Sequence, residues 1–190
     1  MTPKNKQRCA WVNDDPLYIH YHDEEWGRAI YDSHKLLEFL ILEGMQAGLS
    51  WITILKKREN FREAFDNFDP EKIAKYKQSK IDKLLKNPGI IRNKLKINAA
   101  VTNAQLFLEI GKDNFSEYLW QFVDGKPIKN HWKTINQVPI TTKESDNMSK
   151  TLKKRGFKFV GSTICYAFMQ ATGLVNDHEI SCFRHRELAA

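Results

Sequence analysis

Two pairs of metal-ligating residues lie near opposite ends of the chain: Cys9 with His22, and His178 with Cys182 in the stretch NDHEISC. The spacing of His178 and Cys182 predicts one helical turn between them, which would let both reach a single ion. Two thiolates and two imidazoles make a closed tetrahedral shell suited to one Zn2+, with no position left for water. Such a metal would be structural, stapling an aromatic N-terminal segment to the C-terminal end and offsetting its ordering entropy. The pairs are some 150 residues apart, so on spacing alone four ordinary buried side chains stay equally open. His20, His34, His131 and His185 have no comparable partner and are expected at the surface, and Cys165 in the core.

A second candidate is a carboxylate where a core residue belongs. Glu43 falls on the stripe of Leu36 and Leu40, at i, i+4 and i+7 of an apolar helix pattern. An acid on such a face must be paired, hydrogen-bonded or protonated. With Trp51 following in LEGMQAGLSW, the combination suits a flat, electron-poor heterocycle carrying N–H donors. A Glu that snorkels to water or caps the glycines after it fits the same letters.

Third, two short glycine-containing turns have basic flanks, NPGIIRNK and KKRGFKFVGS. The second sets Lys153, Lys154, Arg155 and Lys158 around Gly156 and Gly161, directly before a helix opening with Ser162. Backbone N–H groups at a turn beside a helix N-terminus make a phosphate seat. Helix–hairpin–helix elements use this arrangement to hold DNA backbone rather than base edges. A solvated basic helix end closed by a glycine is the plainer account.

The elements that must position these groups are helical almost throughout. Ser33 is expected to cap a helix through HKLLEFLILEGMQAG, with Gly44 and Gly48 loosening its end, and Ser50 a second through WITILKKRENFREAF. Asp69-Pro70 starts PEKIAKY, and Ser79 with Asp82 starts IDKLLK, stopped at Asn87-Pro88-Gly89. A long segment from about Arg92 to Ile110 follows, then NFSEYLWQFV. Residues 124–142 read as irregular, Ser145 starts a helix that Gly156 ends, and STICYAFMQAT runs to Gly173. Nothing alternates with period two, so the fold class is all-α. The first 30 residues, with Trp11, Tyr18, Tyr21 and Trp26, show little helical rhythm.

A chain of 190 residues with net charge +7 can bury a real core, and its charge admits nucleic acid as a partner. The odd, sparse set Cys9, Cys165 and Cys182 argues against disulfides and for a reducing compartment. No apolar run approaches the roughly 20 residues that span a bilayer, and MTPKNKQRCAW lacks the apolar core of a secretory signal. The expectation is a cytoplasmic protein without a membrane partner.

Over nearly its whole length the chain resembles the 3-methyladenine DNA glycosylase I family of bacteria. The likeness is carried by RCAWVNDDPLYIHYHDEEWG, LEGMQAGLSWITILKKRENFREAF and KKRGFKFVGSTICYAFMQATGLVNDH. It implies an all-α fold of the helix–hairpin–helix glycosylase superfamily, with one structural zinc held by Cys9, His22, His178 and Cys182. It puts the base pocket on Trp11, Tyr18, Tyr21, Trp26 and Trp51, with Glu43 contacting the modified adenine as the candidate catalytic residue. Arg155, Gly156, Lys158 and Gly161 fall on a DNA-anchoring hairpin, and Gln46, Gly48 and Leu49 where the gap left by a flipped base is filled or braced. Residues 1–7 and the tail FRHRELAA depart from the pattern. The whole, 1–190, is expected as one unit, with about 1–30 and 175–190 forming a zinc-tied terminal region around a helical body of about 33–173.

The implied activity is flipping of N3-methyladenine from alkylated double-stranded DNA and hydrolysis of its N-glycosidic bond by a monomer, releasing 3-methyladenine and leaving an abasic site. N3-alkylation makes the base a cationic, good leaving group, so the mechanism is expected to be led by the leaving group. No lysine nucleophile is indicated, hence no strand cleavage. Related glycosylases place an Asp general base beyond the hairpin helix, where Asp177 lies; a supporting role beside His178 fits that residue equally well. A helix–hairpin–helix DNA-binding module without catalysis would not require the Glu43 and Trp51 pair. A zinc hydrolase would need an open coordination position.

Overall fold

The computed structural model describes residues 6–188, so parts of the expected terminal region, residues 1–5 and 189–190, lie outside it. Ten α-helices account for most of the chain among the described residues. They are α1 (Pro16–Glu24), α2 (Ser33–Gln46), α3 (Trp51–Ala64), α4 (Pro70–Ile73), α5 (Gln78–Lys86), α6 (Lys94–Ile110), α7 (Phe115–Trp120), α8 (Lys143–Arg155), α9 (Ser162–Ala171) and α10 (Phe183–Glu187). No helix is long and apolar enough to cross a membrane. The purely helical expectation needs one correction: β1 (Ile128–Lys129) pairs in parallel with β2 (Val175–Asn176). Two-residue strands are too short to leave an alternating pattern in the sequence.

The core is one cluster of buried apolar side chains contributed by nearly every helix, with α2 at its centre. All of α2 from Leu36 to Met45 is buried, so Glu43 sits on the stretch of helix that solvent does not reach. Several helix starts shift from the expected residue. Asp32 rather than Ser33 caps α2, accepting from Lys35 N at 2.7 Å, while Ser33 Oγ accepts from Ser116 N. Lys77 precedes α5, Asn93 caps α6 and Thr142 caps α8, with Ser145 completing a capping box at the third helical position. Asp69-Pro70 and Gly156 act where expected, Gly156 with φ of 108°. Ser50 precedes α3, its hydroxyl paired with Thr53 rather than with backbone.

Two segments differ from the sequence expectation for physical reasons. The region around Tyr18 is helical, because Asp15 caps and Pro16 opens α1. Its buried residues Tyr21, His22 and Asp23 are polar or amphipathic, which erases the apolar rhythm. NDHEISC is not helical; a turn brings His178 and Cys182 together, and Cys182 precedes α10. His185 is buried too, 4% exposed, with its Nε2 on Asn130 O, against the expected surface position. His34 is exposed, as expected, with its Nε2 at Phe68 O. His20 and His131 are exposed and Cys165 is buried, as expected.

After α1 the chain runs along the end of α9, where Gly27 N donates to Gln170 O and Ile30 N to Thr172 O. This crossing is possible only at glycine: at Gly173, φ is +73° and an added Cβ would lie 2.3 Å from Arg28 C. Gly173→Ala is expected to cost roughly 3 kcal/mol or more, combining left-handed strain with overpacking. A lowered denaturation midpoint checks it, and an unchanged one would mean the two segments separate freely.

Candidate active site

The turn after β2, the segment before α1 and the last turn of α1 bring Cys9, His22, His178 and Cys182 together, all buried, with one ligand atom from each within 4.8 Å of the rest. Cys9 Sγ lies 3.4 Å from His178 Nδ1, and Cys182 Sγ 3.4 Å from His22 Nε2 and 3.5 Å from His178 Nδ1. The remaining ring nitrogens are both occupied: His22 Nδ1 by Asp23 Oδ1 at 2.8 Å and His178 Nε2 by Trp26 O at 3.1 Å. Arg8 forks onto Asp23 in turn. These outer partners leave the four inner atoms as lone-pair donors facing one point, the arrangement of a metal shell. The contact between the two thiols, with burial, raises the Cys9 pKa, while that contact lowers the Cys182 pKa, so the pair by itself holds one proton. Ionising both thiols at this spacing would take a cation between them.

Next to this cluster is a cavity of about 200 Å3. Its lining includes Trp11, Tyr18, Tyr21, Trp26, Glu43 and Trp51, so the sequence-predicted pocket residues converge on one space. The aromatic walls brace each other: Trp11 packs on Tyr18 and Trp26 with centroids 4.9 and 5.1 Å apart, and Tyr21 on Trp51 at 5.6 Å. Trp26 also meets the His178 ring edge-on at 4.5 Å, so the pocket wall and the Cys/His cluster are one packed unit. The indole Nε1 of both Trp11 and Trp51 is buried without a hydrogen-bond partner.

Glu43 is 3% exposed and makes no hydrogen bond with the described residues. Burial pushes its carboxyl up to about 8. An acid without a protein partner, at the wall of an aromatic cavity, is unsatisfied unless something in the cavity meets it. The nearby Asp177 is its opposite. Oδ1 accepts from Asn130 Nδ2 (2.6 Å) and Trp132 Nε1 (2.8 Å), and Oδ2 from Tyr166 OH (2.6 Å) and Gln170 Nε2 (2.8 Å).

The residues expected at DNA fall on two loops. Gln46 ends α2 at the cavity, with its Nε2 donating to Leu49 O. Gly48 has φ of +78° and Leu49 is exposed. On the α8–α9 turn Arg155 stacks over Tyr118 and Lys158 is exposed. Gly156 and Gly161 flank that turn as the C-cap of α8 and the N-cap of α9. Gly44 does not loosen α2. It is buried within the last turn of α2, and a Cβ there would lie 3.2 Å from Phe159 Cβ, so it admits the hairpin against the helix that carries Glu43.

Sequence reasoning missed Ile135, Val138, Ala167, Gln170 and Ala171, which complete the cavity wall. Ile135 and Val138 come from the irregular 124–142 stretch and gave no signal. Gln170, a polar residue one turn past buried Tyr166 in α9, was the legible clue. A larger opening of about 800 Å3 between α2, α4 and α7 is lined mainly by helix-capping and surface residues such as Asp32, Asp69 and Lys112, and holds none of the predicted chemistry.

A model of the family described as methyladenine glycosylase matches residues 11–185. DNA-3-methyladenine glycosylase 1 of Escherichia coli (strain K12) is 52% identical over 178 residues, 93% of this chain and 95% of that protein. The crystal structure of a 3-methyladenine DNA glycosylase I is similar with TM-score 0.91 and 54% identity, over 93% of this chain and 98% of that one. A tyrosine-to-phenylalanine variant of a 3-methyladenine DNA glycosylase I, solved in complex with 3-methyladenine, gives TM-score 0.89 at 39% identity, over 93% and 96% of the two chains.

Proposed function

The chain belongs to the methyladenine glycosylase family, and from its activity, excision of 3-methyladenine from DNA in base-excision repair, we propose how its own residues divide the work. The flipped base enters the cavity between Trp11, Tyr18, Tyr21, Trp26 and Trp51. The observation that carries this reading is Glu43, a buried carboxylate without a protein partner in an aromatic-walled space of about nucleobase size. A cationic N3-methylated ring supplies both things the site lacks, N–H donors for Glu43 and positive charge for the aromatic faces. Neutral adenine offers no charge, and that difference is the basis of selectivity.

The alkylated base departs readily because cleavage of its bond neutralises it. The protein's tasks are to extrude the nucleotide, hold the ring and admit one water, which adds to the oxocarbenium-like C1′ and loses its proton to solvent. Glu43 in its ionised form stabilises the bound cation. Both oxygens of Asp177 already accept two hydrogen bonds each from protein donors, so no strong base is assigned and the reaction is led by the leaving group. The enzyme is monofunctional and leaves an abasic site.

The α8–α9 pair is read as the helix–hairpin–helix element of that superfamily, with Arg155, Gly156, Lys158 and Gly161 anchoring duplex phosphates. Gln46, Gly48 and Leu49 enter or brace the gap left by the base. Cys9, His22, His178 and Cys182 would hold one zinc ion as a structural cross-link. Zinc at its usual bond lengths in a tetrahedron separates sulfur from nitrogen by about 3.6 Å, close to the distances above. A complete pocket within one chain supports a monomer working as one unit on double-stranded DNA, with residues 6–30 and 175–188 tied beside the helical body.

A DNA-binding module without catalysis would have no use for the Glu43 pocket. The test is release of free 3-methyladenine from methylated duplex DNA, with strand breaks scored in parallel. Base release without strand breaks is expected. Binding to the duplex with no release would sink the reading.

A further inference from the structure

Both loops assigned to DNA are held by side chains from one face of α6. Lys96 is only 7% exposed, and its Nζ donates to Met45 O at 2.8 Å and to Ala47 O at 2.6 Å. These carbonyls end α2 and begin the turn bearing Gly48 and Leu49. Asn103 is 3% exposed and grips the hairpin from both sides: its Oδ1 accepts from Lys158 N at 2.8 Å and its Nδ2 donates to Lys158 O at 3.0 Å. Lys96 and Asn103 stand seven residues apart on α6, two turns along one face and about 10 Å along the axis. Between them Lys96, Ala99, Ala100 and Asn103 close against Gly44 and Phe159 with only about 10 Å3 of free space. Ser149 Oγ fixes the hairpin again by donating to Val160 O.

Buried polar side chains that spend their hydrogen bonds on the backbone of two separate loops fix those loops relative to each other. We propose that α6 is a spacer that sets the offset between the phosphate-holding hairpin and the turn that fills the duplex, with Lys96 and Asn103 as its positioning residues. Neither residue lines the base cavity. Their role is therefore in engaging the duplex with the base already extruded, and not in holding the base itself. The inference rests on the DNA-contact reading of the two loops given above.

The experiment compares Lys96→Met and Asn103→Leu, which keep side-chain bulk and lose the donors, with Lys96→Arg, which keeps a buried cation. Two quantities are measured: kcat/KM on methylated duplex DNA, and equilibrium affinity for free 3-methyladenine. The first two variants are expected to lose about 10- to 100-fold in kcat/KM, the scale of a misplacement near 1 Å. Free-base affinity should stay within about two-fold, and Lys96→Arg should recover most of the duplex activity. The double variant should lose less than the product of the single losses, since either change alone frees the same offset.

Unchanged duplex kinetics in folded Lys96→Met and Asn103→Leu would overturn the proposal, as would a parallel fall in free-base affinity. Lys158→Ala and Leu49→Ala separate its failure from that of the reading beneath it. If these weaken duplex excision while the α6 variants do not, only the spacer role fails. If they too change nothing, the DNA-contact assignment fails and takes the spacer with it. Should Lys96→Met not fold, the comparison of Asn103→Leu with Asn103→Gln carries the same readouts.

Discussion

Glu43→Gln should lower kcat/KM for 3-methyladenine excision by about 10- to 100-fold, the worth of one charge-assisted hydrogen bond, while making the folded protein more stable at alkaline pH. The two effects share a cause. Burial raises the Glu43 pKa from 4.5 to about 8, so the folded protein favours the neutral acid and the unfolded chain does not. For a raised acid the stabilisation is whole below the unfolded value and is lost as pH rises through the folded one. Across that window, at 1.36 kcal/mol per unit, the loss is on the order of 5 kcal/mol. Glutamine cannot ionise and escapes it, so the stability advantage of Glu43→Gln should grow between pH 5 and 9.

Activity should run the other way. In the empty pocket below pH 8 Glu43 is mostly protonated, and pairing with a cationic base requires the proton to leave. Wild-type kcat/KM at low substrate should therefore climb with pH and level off near 8, while the variant stays flat over that range. Single-turnover excision across pH 5–9, beside denaturation curves at the same points, reads both halves. Equal pH slopes for the two proteins would remove Glu43 as the group that meets the cation.

Loss of the metal is the second large effect. Purified protein is expected to carry one zinc per chain, retained through dialysis and removed only by strong chelation or by Cys182→Ser. The four buried ligands hold together segments from opposite ends of the sequence, and structural zinc in small domains is worth about as much as a whole domain's stability margin. If about 5 kcal/mol of this is felt in folding, Tm falls by roughly 10–20 °C for a chain of this size. Excision should fall with it, because Trp26 packs on His178 and Trp11 on His22. Cys165→Ser is the control: its thiol meets only Val160 O among the described residues, and metal content should be unchanged. Metal analysis, thermal unfolding and base release on one preparation suffice. A folded, active, metal-free protein would remove the staple.

How much of this was legible in the letters depended on the kind of signal. The position of Glu43 could be read because its stripe, Leu36 and Leu40, is a clean helical period. Helix starts were placed to within a residue or two, but the capping residue often belonged to a neighbour, as Asp32 for Ser33 and Thr142 for Ser145. Several nearby side chains can cap, and only geometry chooses. The helix α1 was hidden because what it buries is a tyrosine, a histidine and an aspartate. The cluster of Cys9, His22, His178 and Cys182 was legible as types and not as shape, since a turn and not a helix joins the last two. The grip of Lys96 and Asn103 on distant backbone had no sequence signature at all, because carbonyl and amide partners carry no residue identity.

The tryptophans give the pocket an optical consequence. Of the five in the chain, Trp11, Trp26 and Trp51 line the cavity, and Trp132 donates to Asp177 beside it. Trp120 alone is committed elsewhere, to Ile30 O and the stack with Tyr31. Four of the five indoles thus lie at or beside the binding site, and their ultraviolet emission gives the unmodified protein its own optical probe. A planar cation stacking there should quench it, and removal of the metal beside Trp26 should shift its colour, so ligand entry and loss of the terminal cross-link can be followed separately in one cuvette without a label.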